Sequence, residues 1–326
     1  MPTFHLVNAM EHRDDYILDR SVYISDHRSE RPHDYEPSNT QSDREPCVFC
    51  PGQEHRTPDD VGRVEDEDGN WLMRWFPNDF PAASPDQDGQ SITGAQPSFI
   101  SGRSAHGHHE VLVETPDHNR QMADRSEEEL SSVLNAYTDR IDDLHDQSDV
   151  KAVTVFKNHG PDSGASIVHP HSQVIATPFV PELLRREISA VQEHENCPYC
   201  KVLSYERSHE RSCFENDDFV AFTPYASRHE YELWFFPRAH TPSFHSCDTS
   251  GLAPLLKRAL RRLQTKRAGY NYVLHDAPDH DAFHAHLELY PRTGSWGGFE
   301  RGTDTMINPV PPEQAAAFYR QADDPC

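Results

Sequence analysis

The sequence predicts a fold of alternating strands and helices in which one unit occurs twice, because both halves contain the same order of landmarks. Each half has a Cys-x-x-Cys pair, a strand that ends near Pro-Asp-His118 or Pro-Arg-Ala-His240, a helix, a further strand and a His-x-His pair. A shared order of this kind is typical of a duplicated unit. We place the two halves at residues 1–190 and 191–326.

Strand-like runs, in which apolar and polar residues alternate, recur along the first half. They lie at residues 21–25, 71–76, 110–114, 152–156 and 172–176. Residues 126–145 begin with a capping serine and carry apolar residues at helical spacing, which predicts an amphipathic helix. The second half predicts one helix, at 252–263, and strands at 219–222, 231–236, 270–274 and 284–290.

The composition excludes several classes of partner. The 326 residues include 54 acidic and 30 basic ones, which gives a formal net charge of -24. This charge repels nucleic acid and anionic membranes, because both attract proteins through Lys and Arg. No apolar run approaches the ~20 residues of a membrane span, and the N-terminus has no signal-peptide pattern. We therefore expect a soluble, cytoplasmic protein.

Acidic residues are spread through every segment, and Arg is much more frequent than Lys. An acidic surface stays hydrated in high salt, which screens its self-repulsion. The pattern favours a salt-adapted (halophilic) protein, with an ordinary acidic enzyme as the alternative.

The two Cys-x-x-Cys pairs predict two zinc sites, one in each half. Each pair supplies two thiolates from one tight turn, and zinc binds four such ligands in a tetrahedron. The predicted ligands are Cys47, Cys50, His118 and His169 in the first half, and Cys197, Cys200, His240 and His284 in the second. Four protein ligands leave no open position for water, so both sites are predicted to be structural.

Other assignments of these residues are possible. One alternative is that the cysteine pairs are buried thiols without metal. In the first half, His108 and His109 are rival ligands. We prefer His118 because His240, its counterpart in the second half, also follows a strand and a proline.

The segment His169-Pro-His171-Ser-Gln173 predicts the reactive site. Side chains alternate across a strand, so the two histidines and the glutamine should share one face, and Val168 should point into the core. A neutral imidazole fixed by a metal-anchored backbone is a competent nucleophile toward phosphorus. The Gln173 amide can donate to a phosphoryl oxygen, and Ser166 can line the pocket.

The second half has Glu288 at the position that corresponds to Gln173. A carboxylate there would repel a phosphate. We therefore assign the nucleophile, His171, to the first half only and interpret His284 and His286 as structural.

The chain resembles the galactose-1-phosphate uridylyltransferase branch of the histidine-triad superfamily over nearly its whole length. The family's active-site motif is His-Pro-His-x-Gln, which is His169-Pro-His171-Ser-Gln173 here. Further matches are Asp26-His-Arg28-Ser-Glu-Arg31-Pro32, Phe76-Pro-Asn78-Asp79-Phe80, Pro116-Asp-His118, Phe156-Lys-Asn158 and Gly298-Phe299-Glu300. The resemblance implies an α+β fold, a duplicated histidine-triad-like unit with antiparallel sheets flanked by helices, and a homodimer.

The resemblance also implies a ping-pong transfer. His171 would attack the α-phosphorus of UDP-glucose, glucose 1-phosphate would leave, and galactose 1-phosphate would capture the UMP group, with Gln173 bonded to the transferred phosphoryl. The substrate contacts that it implies are Arg28 and Arg31 at the phosphates, Asn78, Asp79 and Phe80 at the uracil and ribose, Asn158 as a polar contact, and Phe299 and Glu300 at the sugar.

Departures from the better-known bacterial enzymes bear on specificity. Their sugar-contacting Lys and Gln appear here as Gly294 and Met306. Their second metal is held by a Glu and three histidines, which would map to Glu187, His240, His284 and His286, but the Cys197-x-x-Cys200 pair offers a better zinc site.

The C-terminal segment from Gly298 to Glu313 resembles a shorter subfamily that includes ADP-glucose phosphorylases, which adenylylate the same kind of histidine. Hexose-1-phosphate uridylyltransferase is therefore the first hypothesis. An ADP-glucose or dinucleotide phosphorylase is the second, and a non-enzymatic, zinc-stabilised nucleotide-binding protein is the third.

Overall fold

The computed structural model describes residues 10–25, 47–91, 99–100 and 102–321. Its strands are Met10–Asp14 (β1), Ser21–Ser25 (β2), Gly62–Glu65 (β3), Trp71–Pro77 (β4), His108–Val113 (β5), Ala152–His159 (β6), His171–Thr177 (β7), Ser212–Glu215 (β8), Phe219–Phe222 (β9), Leu233–Pro237 (β10), Gly269–His275 (β11), His286–Arg292 (β12) and Met306–Asn308 (β13). Its α-helices are Glu127–His145 (α1), Glu182–Gln192 (α2), Pro198–Glu206 (α3), Leu252–Gln264 (α4), Gly298–Thr303 (α5) and Pro312–Arg320 (α6). All strands and helices predicted from the sequence are present.

Ten strands form one antiparallel sheet whose order is symmetric about its centre. The order is β3-β4-β5-β7-β6-β11-β12-β10-β9-β8, so each strand of the first half has a counterpart at the same distance on the other side. The central pair, β6 and β11, is antiparallel and joins the two half-sheets. The predicted duplication and the α+β class are therefore confirmed.

A second, small sheet contains β1, β2 and β13. β1 pairs with β2 in antiparallel fashion, whereas β13 lies parallel to β2. This sheet joins residues near the two ends of the described chain.

The helix α1 begins where its sequence predicts. Ser126 accepts a hydrogen bond from the Glu129 N–H and the Glu129 carboxylate accepts one from the Ser126 N–H, which forms a capping box. The apolar face of α1 is buried, as at Leu130 and Leu134, and packs against α4. The largest group of buried side chains includes residues from both halves. The division at residue 190 falls inside α2 and stays a prediction.

No helix in the described part of the chain is both long enough and apolar enough to cross a membrane.

Candidate active site and metal groups

A cavity of ≈ 340 Å³ lies where β4, β5 and β7 meet the segment that contains the first Cys-x-x-Cys pair. Its walls include Phe49, Phe76 and Val111, which are buried apolar residues. Among the residues that the sequence predicts for catalysis or substrate binding, six line this cavity: Asn78, Asp79, Phe80, Ser166, His171 and Gln173. Phe80 is 88% exposed at the mouth.

His171 is held so that one ring nitrogen is available. Its Nδ1 lies 2.8 Å from the His169 carbonyl oxygen. A carbonyl can only accept, so Nδ1 carries the proton and donates it, and Nε2 keeps its lone pair. Burial lowers the pKa of His171, which favours the neutral ring. The ring of Phe49 contacts it edge-on, with the centroids 5.3 Å apart. A neutral imidazole with a free Nε2 lone pair is the form that acts as a nucleophile.

The strand prediction for this segment needs one correction. Val168 is 68% exposed instead of pointing into the core, because β7 begins only at His171 and the residues before it do not follow strand alternation. Within β7 the alternation holds, and Val174 is fully buried.

A buried ion pair lies directly behind His171. Lys157 Nζ lies 2.7 and 2.8 Å from the two Glu114 carboxylate oxygens, and it also donates to the His171 carbonyl at 3.0 Å. Tyr137 and Ser172 donate to the same carboxylate. Burial alone would raise the pKa of Glu114, but the nearby cations, with Lys157 first, outweigh it and lower the pKa to about 2. The strand that carries His171 is thus tied to a charged, fully buried network.

Replacing Lys157 with methionine is expected to lower the free energy of unfolding by about 3–5 kcal/mol at pH 7, because Glu114 would stay buried without its cation. The lowered pKa of Glu114 stabilises the wild type above the unfolded-state value of about 4.3, and this contribution is lost as the pH falls to about 2. The difference between variant and wild type should therefore shrink in that window. Urea unfolding at several pH values measures it.

Lys151, which is exposed, provides the control. Lys151→Met should unfold like the wild type. A difference below about 1 kcal/mol for Lys157→Met at pH 7 would contradict the assigned role of the ion pair.

Two Cys2His2 groups have the geometry of metal sites. The ligand atoms of Cys47, Cys50, His118 and His169 lie within 4.8 Å of one another, and so do those of Cys197, Cys200, His240 and His284. Cys50 Sγ lies 3.5 Å from His118 Nδ1 and 3.6 Å from His169 Nδ1. In the second group the corresponding distances from Cys200 Sγ are 3.5 and 3.6 Å. Each group can hold a metal ion.

Backbone carbonyls set the tautomers of three of the candidate ligands. The Nε2 atoms of His169, His240 and His284 lie 2.7, 2.7 and 3.0 Å from the carbonyl oxygens of Thr115, Asp281 and Pro237. Each Nε2–H therefore donates to a carbonyl, which leaves the Nδ1 lone pair facing the cysteines. Burial lowers the pKa of His169 to about 4 and that of His284 to about 3, so both rings are neutral, as metal binding requires.

The thiolate form of Cys200 is disfavoured when no cation is near. Burial, followed by the neighbouring Cys197 thiol, raises the pKa of Cys200 to about 12. A metal ion would supply the positive charge that stabilises the thiolates.

A third buried group, Glu187, His275, His286 and Glu288, also brings its ligand atoms within 4.8 Å of one another. The four residues that map to the second metal of the better-known enzymes are thus divided, because His240 and His284 lie with the cysteines. Burial opposes a charge on His275, but the carboxylates of Glu187 and Glu288 outweigh it and raise the pKa of His275 to about 9. Sequence reasoning did not find His275, because no local pattern marks it.

His286 occupies the place in the second half that His171 has in the first. Its Nδ1 also donates to a backbone carbonyl, that of His284, at 2.9 Å. However, its ring is fully buried, stacks on Phe236 with the centroids 4.5 Å apart, and has Glu288 3.4 Å from its Nε2. There is no room for a substrate at this nitrogen.

Several predicted substrate contacts are elsewhere. Asn158 does not line the cavity, and its Oδ1 accepts from the Asn271 amide at 2.7 Å. Phe299 is 48% exposed on α5, and the buried Glu300 carboxylate accepts from the Gly297 N–H at 2.9 Å. Arg28 and Arg31 lie outside the described residues. The roles assigned to all these residues stay predictions.

His109, which the sequence offered only as a rival metal ligand, lines the cavity instead. Its Nε2 lies 2.9 Å from Gln173 Oε1. The pairing of β5 with β7 brings these side chains together, and no local sequence pattern indicates this contact.

A comparison of this chain with known families agrees with the order of motifs, the duplicated sheet and the cavity. Residues 3–181 match the family model described as galactose-1-phosphate uridyl transferase, N-terminal domain. The chain belongs to the galactose-1-phosphate uridylyltransferase family. Residues 97–318 also match a model described as a domain of unknown function (DUF4921).

Other similar proteins in and around the galactose-1-phosphate uridylyltransferase family span nearly the whole chain. An ADP-glucose phosphorylase of Arabidopsis thaliana is 32% identical over 328 residues, 95% of this chain and 92% of the relative. A galactose-1-phosphate uridylyltransferase of Thermotoga maritima is 28% identical over 335 residues, 96% of this chain and 99% of the relative.

A crystal structure of an ADP-glucose phosphorylase from Arabidopsis thaliana, with bound ADP-glucose, has a TM-score of 0.82 and 30% identity. It covers 96% of this chain and 99% of its own. The predicted class, a nucleotidyltransferase of the galactose-1-phosphate uridylyltransferase family, is therefore supported.

Proposed function

We propose that this protein transfers a nucleoside monophosphate from a nucleoside diphosphate sugar to a second phosphate-bearing substrate through a nucleotidyl-histidine at His171. The observation that carries the proposal is the bond from His171 Nδ1–H to the His169 carbonyl, which leaves the Nε2 lone pair at the cavity. That lone pair forms an N–P bond to the α-phosphorus while the bond to the β-phosphate oxygen breaks, and the sugar 1-phosphate leaves. An oxygen of the acceptor phosphate then attacks the same phosphorus and releases His171.

Other residues stabilise the charge that develops in this step. The Gln173 amide, next to His171 in the cavity, donates to a non-bridging phosphoryl oxygen. Asn78, Asp79 and Phe80 form the side of the cavity where we place the nucleoside. Arg28 and Arg31 are the cations that we assign to the phosphates on the resemblance alone.

We infer that both Cys2His2 groups bind zinc as a structural ion. Zn–S bonds of about 2.3 Å and Zn–N bonds of about 2.0–2.1 Å at tetrahedral angles place sulfur and nitrogen about 3.6 Å apart. The Sγ to Nδ1 distances of 3.5 and 3.6 Å in both groups fit this geometry. Zinc would supply the positive charge that holds two cysteines and two histidines together.

For the substrates, we propose transfer of UMP from UDP-glucose to galactose 1-phosphate. The match to the uridyl transferase model and the whole-length similarity to the Thermotoga maritima enzyme support this choice. The second candidate is ADP-glucose phosphorolysis, with inorganic phosphate as acceptor. The 32% identity to the Arabidopsis thaliana phosphorylase favours it. Gly294 and Met306 at the sugar-contacting positions depart from the hexose contacts that the first candidate implies.

The same proposal includes the homodimer that the resemblance implies and the salt-adapted, cytoplasmic setting that the composition indicates.

Incubation of the wild type, in high salt, with UDP-glucose or ADP-glucose labelled at the α-phosphorus and no acceptor distinguishes the candidates. We expect the protein to retain label from UDP-glucose and to lose it when galactose 1-phosphate is added. Label from ADP-glucose that phosphate discharges would support the phosphorylase. Absence of label from both donors would overturn the proposed nucleotidyl-histidine and favour a protein that only binds nucleotides.

A further inference from the structure

His109 connects the strand that carries Gln173 to the segment that follows β4. It lies on β5, which pairs with β7, and it is 9% exposed. Its ring Nδ1 lies 3.0 Å from the Ala82 backbone nitrogen, and its carbonyl oxygen accepts from the Asn78 N–H at 2.8 Å. Both the ring and the backbone of His109 therefore hold the segment from Asn78 to Ala82.

These contacts determine where the His109 proton is. A backbone N–H can only donate, so His109 Nδ1 accepts from Ala82 and keeps its lone pair. Burial lowers the pKa of His109, so the ring is neutral and its single proton is on Nε2. The Nε2–H, 2.9 Å from Gln173 Oε1, then donates to that oxygen.

The consequence is a defined orientation of the Gln173 amide. Its oxygen is occupied by His109, so its NH2 group remains to donate to a ligand in the cavity. The opposite rotamer would place the NH2 group against the His109 N–H and turn the carbonyl oxygen toward the substrate phosphate, which repels it.

The Asn78 amide is oriented by a different contact. Its Oδ1 accepts from the Phe80 N–H at 2.9 Å, so its Nδ2 is the atom 3.1 Å from His109 Nε2. Because Nε2 is protonated and donates to Gln173, it cannot accept from the Asn78 amide, so this contact is not a hydrogen bond. The proton on His109 therefore orients the Gln173 amide, whereas the Phe80 N–H orients that of Asn78.

We propose that His109 is a positioning residue for nucleotidyl transfer, which orients the Gln173 amide toward the transferred phosphoryl group and anchors the segment that contacts the nucleoside. The inference rests on the proposed function. His109 itself does not touch the phosphorus; it acts through Gln173 and through the segment from Asn78 to Ala82.

Two variants separate these contacts. In His109→Asn the side-chain oxygen can take the place of Nδ1 and accept from Ala82, but nothing reaches Gln173. In His109→Gln the amide can take the place of Nε2 and donate to Gln173, but the acceptor for Ala82 is lost. We expect His109→Asn to lower the rate of His171 labelling roughly 10- to 100-fold with KM for the nucleotide sugar nearly unchanged. His109→Gln should keep most of the rate and raise KM.

The decisive measurement is the coupling between His109→Asn and Gln173→Ala. If His109 acts through Gln173, adding His109→Asn to Gln173→Ala causes no further loss of labelling rate. Additive losses of labelling rate in the double variant would overturn the inference, and so would a His109→Asn labelling rate equal to that of the wild type. In either case, label on the wild type would leave the proposed function intact. If the wild type takes no label from either nucleotide sugar, both the proposed function and the inference about His109 are overturned. If His109→Asn does not fold, His109→Gln provides the test. A rise in KM with the labelling rate retained supports the inference, and a loss of labelling rate in His109→Gln overturns it.

Discussion

Replacing His171 with asparagine is expected to eliminate the labelled nucleotidyl-enzyme and to lower turnover by at least about 10⁴-fold. The asparagine amide can still donate to the His169 carbonyl, which His171 Nδ1 contacts at 2.8 Å in the wild type. The variant therefore keeps the local hydrogen bond and loses the imidazole ring with its nucleophilic Nε2. Labelling with the α-phosphorus donor and steady-state turnover measure the two effects.

The duplication supplies a matched control. His286→Asn makes the same change at the equivalent position of the second half, where the ring is buried and faces Glu288. We expect this variant to be less stable but to label like the wild type. Label that persists in His171→Asn, or that maps to His286 in either protein, would show that the nucleophile is assigned to the wrong residue.

The strands that have a neighbour on both sides in the large sheet could be predicted from the sequence because their burial leaves a clear pattern. The predicted strand 219–222 coincides with β9, in which all four residues are buried. β3, at one edge of the sheet, was not predicted, since three of its four residues are exposed and give no apolar periodicity. The helix α3 was not predicted for another reason. It begins at Pro198, inside the second Cys-x-x-Cys pair, and these residues were interpreted as a metal-binding turn.

In the candidate site, too, contacts that follow from residues close in sequence could be predicted, and contacts between distant segments could not. The metal groups follow from the spacing of two cysteines within four residues and from the repeated order of histidines, and the structure brings together the predicted sets. The contact of His109 with Gln173 depends on which strands are neighbours in the sheet. The strand order cannot be deduced from either segment alone. The same holds for Glu187 and His275, which are 88 residues apart in sequence and in contact at 2.9 Å.

The two metal groups are expected to differ in what their loss does to activity. Cys50→Ser and Cys200→Ser should each lower the zinc content from about two to about one per chain. Each should also lower the melting temperature by more than about 5 °C, because a structural zinc contributes several kcal/mol. Only Cys50→Ser should also lower the His171 labelling rate, by about 100-fold or more.

The reason for this difference lies in His169, which belongs to the first group and whose carbonyl accepts from His171 Nδ1–H at 2.8 Å. Without a metal the His169 ring keeps only its hydrogen bond to the Thr115 carbonyl, so the His169 carbonyl that sets the His171 tautomer is held less firmly. The second group has an equivalent carbonyl, that of His284, but it orients the buried His286. Cys247→Ser, at a free cysteine outside both groups, controls for the substitution and should keep two zinc ions. Equal loss of labelling in Cys50→Ser and Cys200→Ser, measured at a temperature where both are folded, would mean that the metals act through global stability alone.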